Sequence, residues 1–225
     1  KENFGRVEGL QFQLTNAGGY TTCHVINIDT QDAAGDIRIE KNVMKGVISA
    51  ANSEGRGIYG NDAQITAKIG NNVIFDFVNS TEADNTGIEV GAAAGTYYIY
   101  NNTLDNNYEG LVDAGGTVAA INNILANSGN TSSYIGTFDG ATDYNATDGT
   151  DAIGTGSNNK VSQTFAFVNA TADDFRLAET DAAAKDAGQD LTADGNYPFS
   201  DDIEGNSRTA DAWDIGASEY GLYWY

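Results

Sequence analysis

The chain has one cysteine (Cys23), one histidine (His24) and one proline (Pro198) among its 225 residues. A lone cysteine excludes an internal disulfide, and without a CxxC motif or further histidines there is no Cys/His zinc pattern. Cys23 and His24 are adjacent, so in a strand they point to opposite faces, which makes them structural residues rather than a catalytic pair. Basic residues are also scarce: 11 Lys and Arg against 32 Asp and Glu give a net charge of −21. Such a surface repels nucleic acid and anionic membranes, both of which need basic footprints. It also opposes a polyanionic substrate unless a local basic patch or bound cations overcome the field. No apolar run approaches the ~18 residues that cross a bilayer as a helix. Gly-rich phosphate loops and nucleophile elbows are absent as well.

What the chain has instead is a repeat. The segments IRIEKNVM (37–44), AKIGNNVI (67–74), YYIYNNTL (97–104) and VAAINNIL (118–125) share alternating small or apolar residues, then an Asn, then a large apolar residue two places on. The shared Asn is Asn42, Asn72, Asn102 and Asn123, at spacings of 30, 30 and 21. A degenerate copy, RVEGLQF (6–12), carries Leu10 in the Asn place and Phe12 in the apolar place. Strand-like alternation within a period of about 20–30 residues is the signature of a β-solenoid. The columns Ile39/Ile69/Ile99/Ala120, Ile37/Ala67/Tyr97/Val118 and Met44/Ile74/Leu104/Leu125 then point inward and stack on neighbouring rungs. Gly-Ile at 57–58 and 87–88, with Gly-Leu at 110–111, marks a second corner and strand. Asn suits a sharp corner because it tolerates the left-handed backbone and its amide both donates and accepts along the stack.

These rungs, over roughly residues 5–130, resemble the pectin-lyase-like right-handed parallel β-helices. A sharper likeness lies in DFRLAETDAAAKDAGQD (174–190), DIEGNSR (202–208) and WDIGASEY (213–220). That series is similar to the terminal segment of secreted bacterial and environmental-phage β-helix proteins. The resemblance implies an all-β right-handed parallel β-helix with a loop-rich C-terminal cap. Rungs would occupy residues 1–130, and residues 131–225 would form the last irregular coil and the cap of the same domain. It does not imply an activity, since this fold hosts lyases, hydrolases, adhesins and viral fibres. Inverting hydrolases of the fold use an Asp cluster with Gly-His-Gly and Arg-x-Lys, and neither tripeptide occurs here.

Candidate sites follow from the register. The outward positions beside the ladder place Arg38, Lys68 and Tyr98 in one column, with Glu40 and Tyr100 next to them. That face is either a sugar-contacting surface, with Lys68 or Arg38 as the base if the protein is a lyase, or an ordinary soluble sheet face rich in β-formers. Asp202, Arg208 and Asp214 form a structural set in which an Arg fork ties two loops of the cap. Asp173-Asp174 and Asp201, Asp202 and Glu204 offer hard oxygen ligands, so Ca²⁺ is the one metal the chain suggests, although solvated or Arg-paired acids account for them better than a metal site. The first coil begins almost at Lys1, so either a leader or upstream region has been removed or a partner covers the coil. The aromatic tail Gly221-Leu222-Tyr223-Trp224-Tyr225 would either fold back on the chain or anchor a neighbouring subunit. The expected function is a non-catalytic extracellular β-helix, a structural or adhesive component of a virion or cell surface. It would self-associate or contact neighbouring subunits, with a polysaccharide as ligand and no nucleic acid or membrane partner. The alternative is a polysaccharide lyase or other carbohydrate-active enzyme.

Overall fold

Each repeated segment folds as a strand, a two-residue corner and a second strand. The computed structural model describes residues 4–18, 22–29, 35–49, 53–79, 85–93, 95–129, 133–208 and 213–221. The tail from Leu222 to Tyr225 lies outside the described residues. The first coil comprises β1 (Phe4–Glu8), β2 (Gln11–Asn16) and β3 (Thr22–Ile28). The second comprises β4 (Asp36–Glu40), β5 (Val43–Ile48) and β6 (Glu54–Gly60). The third has β7 (Thr66–Gly70), β8 (Val73–Phe75) and β9 (Thr86–Val90). The fourth has β10 (Thr96–Tyr100), β11 (Thr103–Asp105) and β12 (Glu109–Asp113). The fifth has β13 (Thr117–Ile121), β14 (Ile124–Ala126) and β15 (Tyr134–Gly136), and β16 (Ala146–Thr147) opens a sixth. A short antiparallel pair, β17 (Phe167–Asn169) and β18 (Asp174–Leu177), follows outside the coil.

Among the described residues the coil strands pair between coils and not within one, giving three parallel sheets ordered β1-β4-β7-β10-β13, β2-β5-β8-β11-β14-β16 and β3-β6-β9-β12-β15. This is a right-handed parallel β-helix. Its register stacks Val7, Ile39, Ile69, Ile99 and Ala120 in one column, and Phe12, Met44, Ile74, Leu104 and Leu125 in another. From Ile39 and Met44 onward these side chains are essentially without solvent. Each such burial contributes on the order of 1.5–3 kcal/mol relative to exposure. Gly57, Gly87 and Gly110 lie inside β6, β9 and β12 rather than at a corner. Their neighbours Ile58, Ile88 and Leu111 fill the third core column. A side chain at Gly87 would reach the backbone oxygen of Gly110 at 2.8 Å, so the strand must carry none there.

The corner between the first and second sheets is built from residue pairs with divided tasks. Lys41, Asn71, Asn101 and Asn122 adopt left-handed backbone, with φ between 52° and 57°. The next residue, Asn42, Asn72, Asn102 or Asn123, turns inward and is fully buried. The Nδ2 of Asn42 donates to Asn72 Oδ1 (3.0 Å), Asn72 to Asn102 (2.9 Å), and Asn102 to Asn123 (3.0 Å). Backbone N–H groups of Asn42, Asn72 and Asn102 donate to the same acceptors. The ladder continues into Asn145 (2.9 Å) and Asn159 (3.2 Å), two members the repeat pattern does not announce. At the other end Leu10 offers only its backbone N–H to Asn42 Oδ1 (3.1 Å), and its side chain is exposed. The first coil therefore ends the ladder. Its strands β1, β2 and β3 are the outermost members of their sheets, and Val7, Phe12 and Leu14 are only partly buried.

Asn72→Ala and Asn102→Ala should each cost about 1–3 kcal/mol, because they strand buried donors and acceptors above and below. Leu10→Asn should leave stability close to wild type. Chemical denaturation midpoints test this, and unchanged midpoints for both alanine variants would show that the ladder contributes nothing.

Candidate functional site

Downstream of the coils the chain turns back along their side, where the sequence had implied a cover over the end. This strap, described over residues 181–208 and 213–220, packs Leu191, Tyr197 and Trp213 onto the outer face of the first sheet, against Tyr100, Ala119 and Ile121. Tyr197 stacks on Tyr100 at 5.5 Å and donates its hydroxyl to Glu40 Oε1 at 2.8 Å. Gly70 permits this, because a side chain there would collide with the Tyr197 hydroxyl. Burial, with the Glu40 carboxylate beside it, raises the Tyr197 pKa well above the ordinary tyrosine value.

The predicted sugar-contacting face is thus only partly open. Arg38, Lys68 and Tyr98 do align in one column across β4, β7 and β10. Glu40 and Tyr100, however, are buried beneath the strap and are not surface ligands. Lys68 Nζ is tied to Asp36 at 3.1 Å, with the Arg38 guanidinium 3.9 Å from the same carboxylate. Outward Ala119 and Ile121 were the signal for this cover: apolar residues on a supposed water face require something to bury them.

Arg208 fastens the strap. Its Nη1 donates to Glu219 Oε2 (2.9 Å), while Nη2 donates to Asn71 Oδ1 (2.9 Å) and the Gly216 carbonyl (2.9 Å). Its guanidinium also lies 5.2 Å from the Trp213 ring centre. The carboxylate that Arg208 pairs with is Glu219, which the sequence reading did not name. Asp214 gives Arg208 its carbonyl (3.2 Å), and its carboxylate accepts from the Asp186 and Tyr220 N–H groups. Asp202 accepts from the Asn206 and Glu219 N–H groups. The set is structural, but it binds the side of the helix. Asn101 Nδ2 donates to the carbonyls of Asp214 and Gly216, and Asn122 exchanges bonds with Gln189. The left-handed member of each corner pair therefore holds the strap.

Of the acids considered for Ca²⁺, Asp202 is fully engaged, Asp201 pairs with Lys41 at 2.5 Å, and Glu204 is exposed. No group of three or more metal-ligating side chains forms among the described residues.

The open concavity lies on the second sheet's outer side. Three neighbouring cavities of about 420, 640 and 430 Å³ share lining residues and run from Gln11 and Gln13 on β2 to Asp148 beyond β16. One wall is the corner after β8, β11 and β14, where Asp76, Asn106 and Asn127 carry φ of 63°, 49° and 52°. The other wall is the segment holding Phe165, Phe167, Asp173 and Phe175. Polar groups line it rung by rung. Lys45 Nζ sits 2.7 Å from Asp173 and 3.6 Å from Asp76, and 5.2 Å from the Phe75 ring centre. Asn106 Nδ2 donates to Asp76 (2.8 Å), Asn127 Nδ2 to Asp105 (2.8 Å), and Asn127 N–H to Asp148 (2.7 Å). Asp105 is buried, which pushes its pKa up to about 6. Acids, amides and aromatic faces along an elongated trench suit a hydroxyl-rich polymer.

A scan against protein-family models, a search of curated proteins and a search of solved structures each return no match for this chain. The functional reading therefore rests on the fold and the groove.

Two outcomes follow. Arg208→Ala should destabilise by about 3–5 kcal/mol, because it removes the buried cation that bonds the Glu219 carboxylate, the Asn71 amide oxygen and the Gly216 carbonyl. A change below ~1 kcal/mol would show that the strap is held elsewhere. Burial also raises Asp214 to about 6 and Glu219 to about 7. Together with Asp105, these carboxyls bind protons more tightly folded than unfolded. Their contribution is fully present below the unfolded carboxyl pKa of about 4 and is lost as pH rises through 6–7. The melting temperature should therefore fall from pH 5 to pH 8; a rise would contradict the assignment.

Proposed function

We propose that this chain is a non-catalytic extracellular β-helix module, a structural or adhesive component of a virion or cell surface, and a member of the pectin-lyase-like family. It contacts glycans through the groove on the second sheet and associates with copies or neighbouring subunits through its first coil. The observation that carries the glycan reading is the groove itself, a trench across successive rungs with amides and carboxylates on one wall and Phe165 and Phe167 on the other. Association is supported by β1, β2 and β3, outermost in their sheets with partly exposed apolar side chains. Such edges template pairing with another chain.

One observation favours the enzyme reading, and it relocates the chemistry. Lys68 faces Asp36 rather than several converging acids, which weakens a lyase base there. Asp105, with its raised pKa, lies one rung from Asp76, and two neighbouring carboxyls are the equipment of glycoside hydrolysis.

Phe167→Ala should weaken oligosaccharide binding by roughly threefold to tenfold through lost stacking, while Lys68→Ala leaves it unchanged. Incubation with polysaccharides should release neither reducing ends nor unsaturated uronates. Release that disappears in Asp105→Asn would replace this proposal with the hydrolase.

A further inference from the structure

The groove contains its own sample of what it binds. The Lys45 ammonium lies against Phe75 with the carboxylates of Asp173 and Asp76 on either side. This is an aromatic floor with flanking anions, a common seat for an ammonium group. Further along the same wall a second pair of acids stands with no described Lys or Arg between them. Asn127 holds Asp105 with its side-chain amide and Asp148 with its backbone N–H, so the two carboxylates flank one residue. Asp105 is only 6% exposed. One of its oxygens accepts from Asn127, no described donor meets the other, and the residue lines the cavity. No described Lys or Arg pairs with either acid, although Lys45 pairs with the acids of the preceding seat.

We propose that the groove binds an amine-bearing glycan, a polymer of amino sugars with free ammonium groups, and seats one ammonium between Asp105 and Asp148. This rests on the glycan reading above and names its ligand class. The surrounding chemistry favours a sugar over a simple cation. Asn106, Asn127 and Gln163 offer amides to ring hydroxyls, and Phe165 and Phe167, stacked at 19°, present faces to pyranose C–H groups. Rungs about 4.8 Å apart repeat on the scale of one sugar unit. The net charge of −21 draws a polycation in and turns a polyuronate away.

Titration calorimetry of the full chain tests this with four probes of equal length: β-1,4-linked glucosamine, its N-acetylated form, galacturonate and oligolysine, at low salt and a pH that keeps the amines charged. The glucosamine oligomer should bind at least about tenfold tighter than the acetylated one, the scale of one charge-assisted contact. Asp148→Asn, at an exposed position, should remove about that factor without altering the melting temperature. Asp105→Asn should do the same where it folds. Lys45→Ala, which vacates the first seat, should tighten binding. Equal binding of the acetylated oligomer overturns the amine assignment and leaves the glycan reading intact. Oligolysine binding as tightly as glucosamine overturns the sugar class. Failure of every oligosaccharide to bind removes both readings. Unchanged affinity in a folded Asp148→Asn removes this seat.

Discussion

The rest of the structure depends on the asparagine corner. A parallel coil must reverse direction in two residues at every rung, and it must do so without leaving backbone groups unpaired in its interior. Asn solves both halves. As the first residue of the pair it accepts the left-handed conformation seen at Asn71, Asn101 and Asn122. As the second it turns its amide along the axis, so that each rung caps the one before it. The amide can donate and accept at once, which allows the ladder to be endless in principle. It stops at Leu10, a side chain that offers neither.

Because the first residue of each pair turns its side chain away from the core, the same corner also receives the strap. Asn71 takes Arg208, Asn101 takes the carbonyls of Asp214 and Gly216, and Asn122 takes Gln189. Gly216 approaches so closely that a side chain there would press on Ile124, and its φ of 99° excludes most residues. From this seam the strap reaches both ways, with Trp213 over the first sheet and Ala217 over the second. The terminal motif WDIGASEY is thus a device that straddles a corner. Its placement decides which outer surfaces remain for ligands.

The coil was legible from alternation and spacing because identical packing demands recur at each rung. Asn145 falls outside the pattern because two residues on stands Thr147, where the repeat has a large apolar residue. The cover on the first sheet's outer face is not legible for a different reason. Alternation reports which side chains leave the core, but it does not report whether a distant segment covers them, and Tyr197 lies 157 residues from Glu40. The groove was hidden similarly. Lys45, Asp76, Asp105 and Asn127 fall three or four places past their ladder asparagines, beyond the apolar column, and the opposite wall comes from β17 and β18. Single rungs show one or two polar residues each; only stacking makes a site of them.

Charge connects the strap to the groove. In a chain with 11 basic residues, Lys41 reaches Asp201, Arg208 reaches Glu219, Lys160 reaches the Ala183 carbonyl and Lys45 reaches Asp173. Each of these contacts fixes a downstream segment to the coils or closes the strap upon itself. These four cations are therefore committed to holding the flank of the helix. Asp105 and Asp148 remain at the open end of the trench, held in place by Asn127 rather than neutralised. Two carboxylates kept close by a neutral amide repel one another, and desolvation raises the cost for Asp105. A mobile countercharge relieves that repulsion, which no described Lys or Arg does. The constraint that stabilises the flank thus accords with the ammonium seat proposed in the trench.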